Sequence, residues 1–314
     1  MNSPSSPVFI VGAERSGTTM FRLMLAHHPQ LAVCSEFEYI VDPIAHGQPF
    51  PDVNSYADQL QANWIFQDHK LSIDRSLSYG ELAHSFLAQV QERDRAQHVI
   101  AVVHRNFDQL PRLWPDARYI HIVRDPRDVA RSVIGMGWAG NVWHGVERWL
   151  DVEQTWNRMK PDLPGDRYLE VKQEDLILEP EQTLSQVCQF IGVDYDARML
   201  DYPRYTTYSK PDPSLLEQWR SKLTPKQVGL IEGRVGDLLT DRGYAMSGYP
   251  TITPSRSAQR WLKLDDKWGC LNHRIQRLGI GLFVSDLLSR KLRIKPWQEW
   301  LEPQLAQAWR SSLK

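Results

Sequence analysis

Residues 7–29 read PVFIVGAERSGTTMFRLMLAHHP, and the fold follows from them. Val8-Phe9-Ile10-Val11 is an unbroken run of β-branched and aromatic residues, the pattern of a strand buried on both faces of a parallel sheet. Gly12 and Gly17 bracket a tight turn. Thr18-Thr19-Met20 then opens a segment in which Met20, Leu23, Met24 and His27 recur at helical spacing. Strand, glycine-bearing loop and helix in that order make an anion site. The loop amides and the first-turn N–H groups of the helix converge on one spot, where the helix dipole also favours negative charge.

The spacing is close to the G-x-x-x-x-G-K-[ST] loop that cradles nucleotide phosphates, with Gly12 and Gly17 in the glycine positions. The position after the second glycine is Thr18 instead of lysine, and the fixed positive charge sits inside the loop as Arg15. A nucleoside triphosphate needs that lysine on its β- and γ-phosphates, with a magnesium ion beside it. A loop with Arg15 and two hydroxyls suits a smaller anion. The plainer alternative is a strand–turn–helix unit with an incidental Arg-Ser-Gly-Thr turn.

The rest of the composition is that of a globular chain. Of 314 residues, 42% are hydrophobic and 24% charged, enough for one large domain with an appendage, or two domains. A formal net charge of −1 argues against a general nucleic-acid binder while leaving room for a local basic pocket. Cys34, Cys188 and Cys270 are too few and too scattered for a disulfide framework or a zinc site, which points to a reducing, cytoplasmic setting. The first core strand begins near residue 8, so neither a signal peptide nor an N-terminal anchor is expected. No apolar run reaches the length of a membrane span.

Four further apolar runs read as strands: Leu31 to Cys34, Val99 to Val103, Tyr119 to Val123 and Tyr168 to Val171. Between them, amphipathic spacing marks helices from Asp128 to about Ile134, through Val146, Trp149, Leu150 and Trp156, and through Leu184, Val187, Cys188 and Ile191. Thr224-Pro225 supplies an N-cap and a first-turn proline for another, carrying Val228, Ile231 and Val235. The alternation predicts an α/β fold of three layers and P-loop type, with about five parallel strands and helices on both faces. Residues 1–250 are expected to form this domain, and 251–314 a helical, basic, tryptophan-rich C-terminal extension.

A second signal is YIHIVRDPRDVARS, residues 119–132. Arg124 leaves a strand tip and Ser132 follows about two turns into the next helix, a pair suited to a second phosphate. The bland alternative has Arg124, Asp125, Arg127 and Asp128 neutralising one another at a surface turn.

Together the two stretches resemble the sulfotransferases that use 3′-phosphoadenosine-5′-phosphosulfate (PAPS). GAERSGTT is similar to that family's 5′-phosphosulfate loop and RDPRDVARS to its 3′-phosphate motif; LEVKQEDLILEPEQTL and the run around Trp219 to Tyr244 add weaker likeness. The resemblance covers roughly residues 7–245 and is nearest to bacterial and tyrosylprotein types, whose loop carries arginine. It implies that Arg15, Ser16, Gly17, Thr18 and Thr19 hold the 5′-phosphosulfate and that Arg124 and Ser132 hold the 3′-phosphate. No residue cluster in the sequence calls for a metal. Two family features are missing. The C-terminal G-x-x-G-x-x-K motif has no clear match, and the strand-end lysine is absent from Val102-Val103-His104-Arg105, where His104 or Arg105 is the substitute.

On this reading the chain moves a sulfuryl group from PAPS to a hydroxyl or amine of a small-molecule, glycan or peptide acceptor. Glu36, just beyond the second strand at the sheet edge that carries Arg15, is expected to be the catalytic base. A glutamate of the tyrosylprotein type falls at the same distance past the loop. Glu38 shares its face if the chain stays extended, and His104 is the main competitor, since cytosolic members use a histidine after the third strand. The alternatives are a P-loop nucleotide kinase and a non-catalytic module that binds PAPS or its product. Trp138, Asn141, Trp143 and His144 line an acceptor pocket or simply pack a loop.

The tail from residue 251 holds 12 Lys/Arg against 5 Asp/Glu, a formal charge of 12 − 5 = +7. Its apolar residues Trp261, Leu264, Trp268, Leu271, Ile275 and Leu278 recur at about helical spacing. The favoured expectation packs this stripe on its own domain or on a second subunit; peripheral contact with an anionic membrane is the other reading.

Overall fold

The computed structural model describes residues 6–310, which divide into two compact units. One comprises the described residues up to Asp125 together with Arg148–Glu217. The other comprises Pro126–Glu147 and the described residues from Gln218 onward.

The first unit holds a five-stranded parallel sheet: β1 (Val8–Val11), β2 (Leu31–Cys34), β3 (His98–Val103), β4 (Arg118–Val123) and β5 (Tyr168–Lys172), in the order β2-β3-β1-β4-β5. The expected runs are all present, three of them one residue longer at one end. Val8 and Ile10 point to the face packed by helix α1 (Thr18–Ala26), where Phe21, Met24 and Leu25 join Leu184, Val187 and Cys188 of the helix Pro180–Ile191. Phe9 points the other way, its ring 5.1 Å from that of Trp114 and 6.1 Å from that of Tyr119. Both faces are therefore buried, which is why β1 shows no polar alternation. Each such side chain contributes about 1.5–3 kcal/mol of hydrophobic stabilisation.

Strand order positions the site. β1 lies mid-sheet with β3 on one side and β4 on the other, so the chain reverses direction across the sheet at the loop that follows Val11. Val11 pairs in register with both Val103 and His121. The residues leaving β3 and β4, His104 and Arg124, thus emerge beside that loop.

In the second unit, the helix Pro126–Gly135 carries Pro126-Arg127-Asp128 of the RDPRD motif, whose charged residues are buried, not a surface turn. Arg127 and Asp128 are buried: Arg127 lies 2.8 Å from Glu232 and 3.8 Å over the Trp219 ring, and Asp128 accepts the Trp219 backbone N–H at 2.9 Å. Glu232 belongs to the helix Pro225–Val235, which Thr224 and Gln227 open with a capping box. The loop with Trp138 to His144 is packed in part, with Trp138 exposed. Asn141 caps Val142–Gly145 and donates to the Leu262 carbonyl and to Asp265, while Arg234 stacks on Trp143.

The C-terminal segment is helical, as expected: Arg256–Lys291, broken at Gly279 by a φ of 73°, and Lys295–Arg310. Of its apolar stripe, expected to pack on its own domain or on a second subunit, Leu278 is buried and Ile275 half-buried, while Trp261, Leu264, Trp268 and Leu271 are exposed. Among the described residues no helix is long and apolar enough to cross a membrane.

Candidate active site at the anion-binding loop

The loop from Gly12 to Gly17 is built by two backbone constraints. A Cβ at Gly12 would stand 2.3 Å from the Ile122 carbonyl oxygen, so only glycine lets β1 pass β4 at this level. Arg15 and Gly17 both take positive φ, 72° and 85°, which bends the chain into a concave run of amides. The Ser16 N–H closes the turn on the Ala13 carbonyl at 3.1 Å. No side chain caps the N-terminus of α1, leaving its first-turn amides directed at the concavity.

The side chains fit an anionic group. The Ser16 hydroxyl is fully buried and has no hydrogen-bond partner among the described residues, a state that an anionic oxygen would relieve. Thr18 and Thr19 open α1, Thr18 buried and Thr19 half-buried. Arg15 is half-buried, and burial pulls its guanidinium below the usual arginine range, though it remains a cation at any working pH. Arg124, buried at the end of β4, donates to the Arg15 carbonyl at 3.0 Å and so braces the loop backbone. Its own carbonyl accepts the Trp149 indole N–H at 2.9 Å. Ser132 lies half-buried on the helix Pro126–Gly135, in the second unit.

The carboxylates after β2 part company, contrary to the extended chain that would give them one face. Glu36 adopts φ 48° and stands exposed. The Phe37 N–H then bonds to the Val102 carbonyl at 2.8 Å, folding the chain back over β3 and turning Glu38 inward at the start of a short 3₁₀ helix, Glu38–Ile40. Glu38 Oε1 meets His104 Nδ1 at 2.5 Å and accepts the His104 backbone N–H at 2.9 Å. His104 Nε2 lies 3.1 Å from Thr18 Oγ1. The missing strand-end lysine has a neighbour of a different kind: an imidazole touching the loop, held by a buried carboxylate. Arg105 points elsewhere, bidentate on Asp42.

Each member of the pair favours the charged form of the other. Burial disfavours imidazolium at His104, but the hydrogen bond and charge of Glu38, with Glu14 and Glu36 adding to it, outweigh that and raise the pKa above the ordinary histidine value. Burial likewise pushes Glu38 upward, yet the His104 hydrogen bond and charge, with backbone N–H groups, hold it below the usual glutamate value. Imidazolium and carboxylate stabilise each other.

Geometry and fold together define an α/β protein with a glycine-bearing strand–loop–helix at the switch point of a parallel sheet. The match of the sulfotransferase family profile to residues 7–197 goes further: the chain belongs to the sulfotransferase family. It is 22% identical over 221 residues to the protein-tyrosine sulfotransferase of Drosophila melanogaster, covering 63% of this chain and 40% of that one. It is 26% identical over 175 residues to the omega-hydroxy-beta-dihydromenaquinone-9 sulfotransferase Stf3 of Mycobacterium tuberculosis, covering 51% and 44%. The chain thus spans less than half the length of either relative. Among solved structures, the sulfotransferase domain from the curacin biosynthetic pathway shares the fold, with a TM-score of 0.57 and 18% identity over 77% of this chain and 98% of that one.

Strand, loop and helix start stand where the sequence put them. Sequence reading missed the bond between His104 and Thr18 and the inward turn of Glu38, since both depend on strand order, which no local motif encodes.

Proposed function

We propose that this chain transfers a sulfuryl group from PAPS to a hydroxyl acceptor. The observation that carries the reading is the loop itself: a buried, unpartnered Ser16 hydroxyl and the uncapped first turn of α1, in a member of this family. Arg15, Ser16, Gly17, Thr18 and Thr19 are the residues for the 5′-phosphosulfate, and Arg124 with Ser132, on the sequence motif, those for the 3′-phosphate. PAPS supplies an activated sulfuryl group on a good leaving phosphate. The new bond joins acceptor oxygen to sulfur, the sulfur–phosphate oxygen bond breaks, and the hydroxyl proton passes to a base.

Glu36 is that base in the reading the site supports best. Its carboxylate is exposed, unlike that of Glu38, and it follows the C-terminal end of β2, at the sheet edge that carries the loop. His104, held as a cation by Glu38, then takes the place of the absent lysine and stabilises negative charge at the loop. A second reading has one observation in its favour. The Glu38–His104–Thr18 chain also has the form of a carboxylate-oriented imidazole, in which neutral His104 would take the proton.

The hydroxyl class of acceptor is supported by the two relatives, whose names specify a protein tyrosine and an omega-hydroxy-beta-dihydromenaquinone-9. The cytoplasmic setting belongs to the same proposal, supported by three cysteines that stand as free thiols. The test is calorimetry with 3′-phosphoadenosine-5′-phosphate (PAP), AMP and magnesium-ATP, followed by transfer of labelled sulfate from PAPS to a panel of phenols, alcohols and amines. Strong preference for PAP with transfer is expected. Tight magnesium-dependent ATP binding instead would make it a kinase, and PAP binding with no transfer to any acceptor class would make it a binding module.

A further inference from the structure

The tail carries an unusual share of the chain's exposed apolar surface. Of the 19 large hydrophobic side chains exposed among the described residues, 11 lie between Arg256 and Arg310: Trp261, Leu264, Trp268, Leu271 and seven beyond. Trp261 and Trp268 are 73% and 68% exposed, values at odds with any packing role inside this chain. Monomeric proteins rarely leave apolar side chains in such a contiguous row.

The helix Arg256–Lys291 has two sides with different work. Asp266 accepts the Gly140 N–H at 2.7 Å, and a Cβ on Gly137 would collide with His273, so this side docks on the loop of its own unit. The outward side bears two rows. Trp261, Leu264, Trp268 and Leu271, spaced i, i+3, i+7 and i+10, form one. Arg256, Arg260, Lys263 and Lys267, spaced i, i+4, i+7 and i+11 and all exposed, form the other. At the helical repeat the rows lie roughly a quarter-turn apart, so both meet the same external plane. No Asp or Glu interrupts the basic row, although the whole chain carries a net charge of −1.

We propose that this face seats the protein on an anionic phospholipid surface, with the tryptophans at the headgroup boundary and the basic row against lipid phosphates. Charge sign selects this occupant over a second copy of the chain. The apolar row has the 3-4-3 spacing of a coiled-coil seam, but it is exposed for less than two heptads, where about three to four sustain one. An antiparallel two-fold pairing would also set four cations against four cations. The helix is too polar to cross a bilayer, so it lies on the surface.

The test is co-sedimentation of the full chain with phosphatidylcholine vesicles and with vesicles that also contain phosphatidylglycerol. Pelleting is expected only with the anionic vesicles, reversed by added salt, with a blue shift of tryptophan emission. Replacing Arg256, Arg260, Lys263 and Lys267 by Gln should weaken vesicle binding roughly hundredfold or more. Trp261→Ala with Trp268→Ala should abolish the blue shift, with PAP affinity and thermal unfolding as controls of fold. A supernatant fraction unchanged at low salt overturns the proposal. So does equal binding to neutral vesicles, or a dimer by light scattering that the two tryptophan substitutions convert to monomer.

Discussion

Replacing Glu38 by Gln isolates the charge of one buried side chain and decides what His104 does. The carboxylate makes a 2.5 Å contact with Nδ1 and a 2.9 Å contact with the His104 backbone N–H, in a site where both side chains are nearly inaccessible. Gln preserves size and one acceptor but removes the charge. A charge-assisted hydrogen bond contributes about 1.5–3 kcal/mol, and burial then acts unopposed by its main counterweight, so His104 loses its proton more readily. If imidazolium stabilises the phosphosulfate, that energy is a loss of roughly 10- to 100-fold in kcat/KM at neutral pH. The assay is the pH profile of labelled-sulfate transfer in wild type and variant. The limb that falls as pH rises, where His104 deprotonates, should move to lower pH in Glu38→Gln, so the defect shrinks in mild acid. Movement of the acidic limb to lower pH with a fixed alkaline limb would refute the reasoning, because it would show that neutral His104 is the base.

Glu36→Gln should lower turnover by about 10²–10⁴-fold with PAP affinity near wild type, whereas His104→Ala costs less; steady-state kinetics and calorimetry read both, and an inactive histidine variant beside an active Glu36→Gln reverses the assignment. Arg124→Ala should weaken PAP binding at least about tenfold while leaving AMP affinity less affected, since one charge-assisted contact is worth about 1.5–3 kcal/mol. Equal affinity of the wild type for PAP and AMP would remove the 3′-phosphate site. Gly12→Ala should destabilise the fold by about 1–3 kcal/mol in urea unfolding, because its Cβ meets the Ile122 backbone and neither strand can yield. The His104–Glu38 pair should contribute most to stability between pH 4.5 and 6.5, the ordinary values of the two groups. Below that window the contribution is lost as Glu38 protonates through its depressed pKa, and above it as His104 deprotonates through its raised one. Urea midpoints across pH in wild type and Glu38→Gln check this.

What sequence alone determined is local. The loop from Gly12 to Thr19 was legible because an anion site of this kind is made of consecutive residues: two glycines, an arginine and the hydroxyls at a helix start. The strands were legible because burial on both faces leaves no polar residue in the run, and the capped start of the helix Pro225–Val235 because capping is a matter of four adjacent residues. What only tertiary structure decided is which of those pieces meet. Strand order set β3 beside β1 and so brought His104 to Thr18 across 86 positions. A positive φ at Glu36, and a single hydrogen bond from Phe37 to β3, sent one carboxylate outward and its neighbour two residues on into the interior. The same holds for the tail. Its apolar period was plain in the sequence, but a helix has several faces, and only docking of Asp266 and His273 against their own unit left the tryptophan row looking outward. Periodicity fixes where a side chain lies around its own axis; contact with the rest of the molecule fixes what that direction faces.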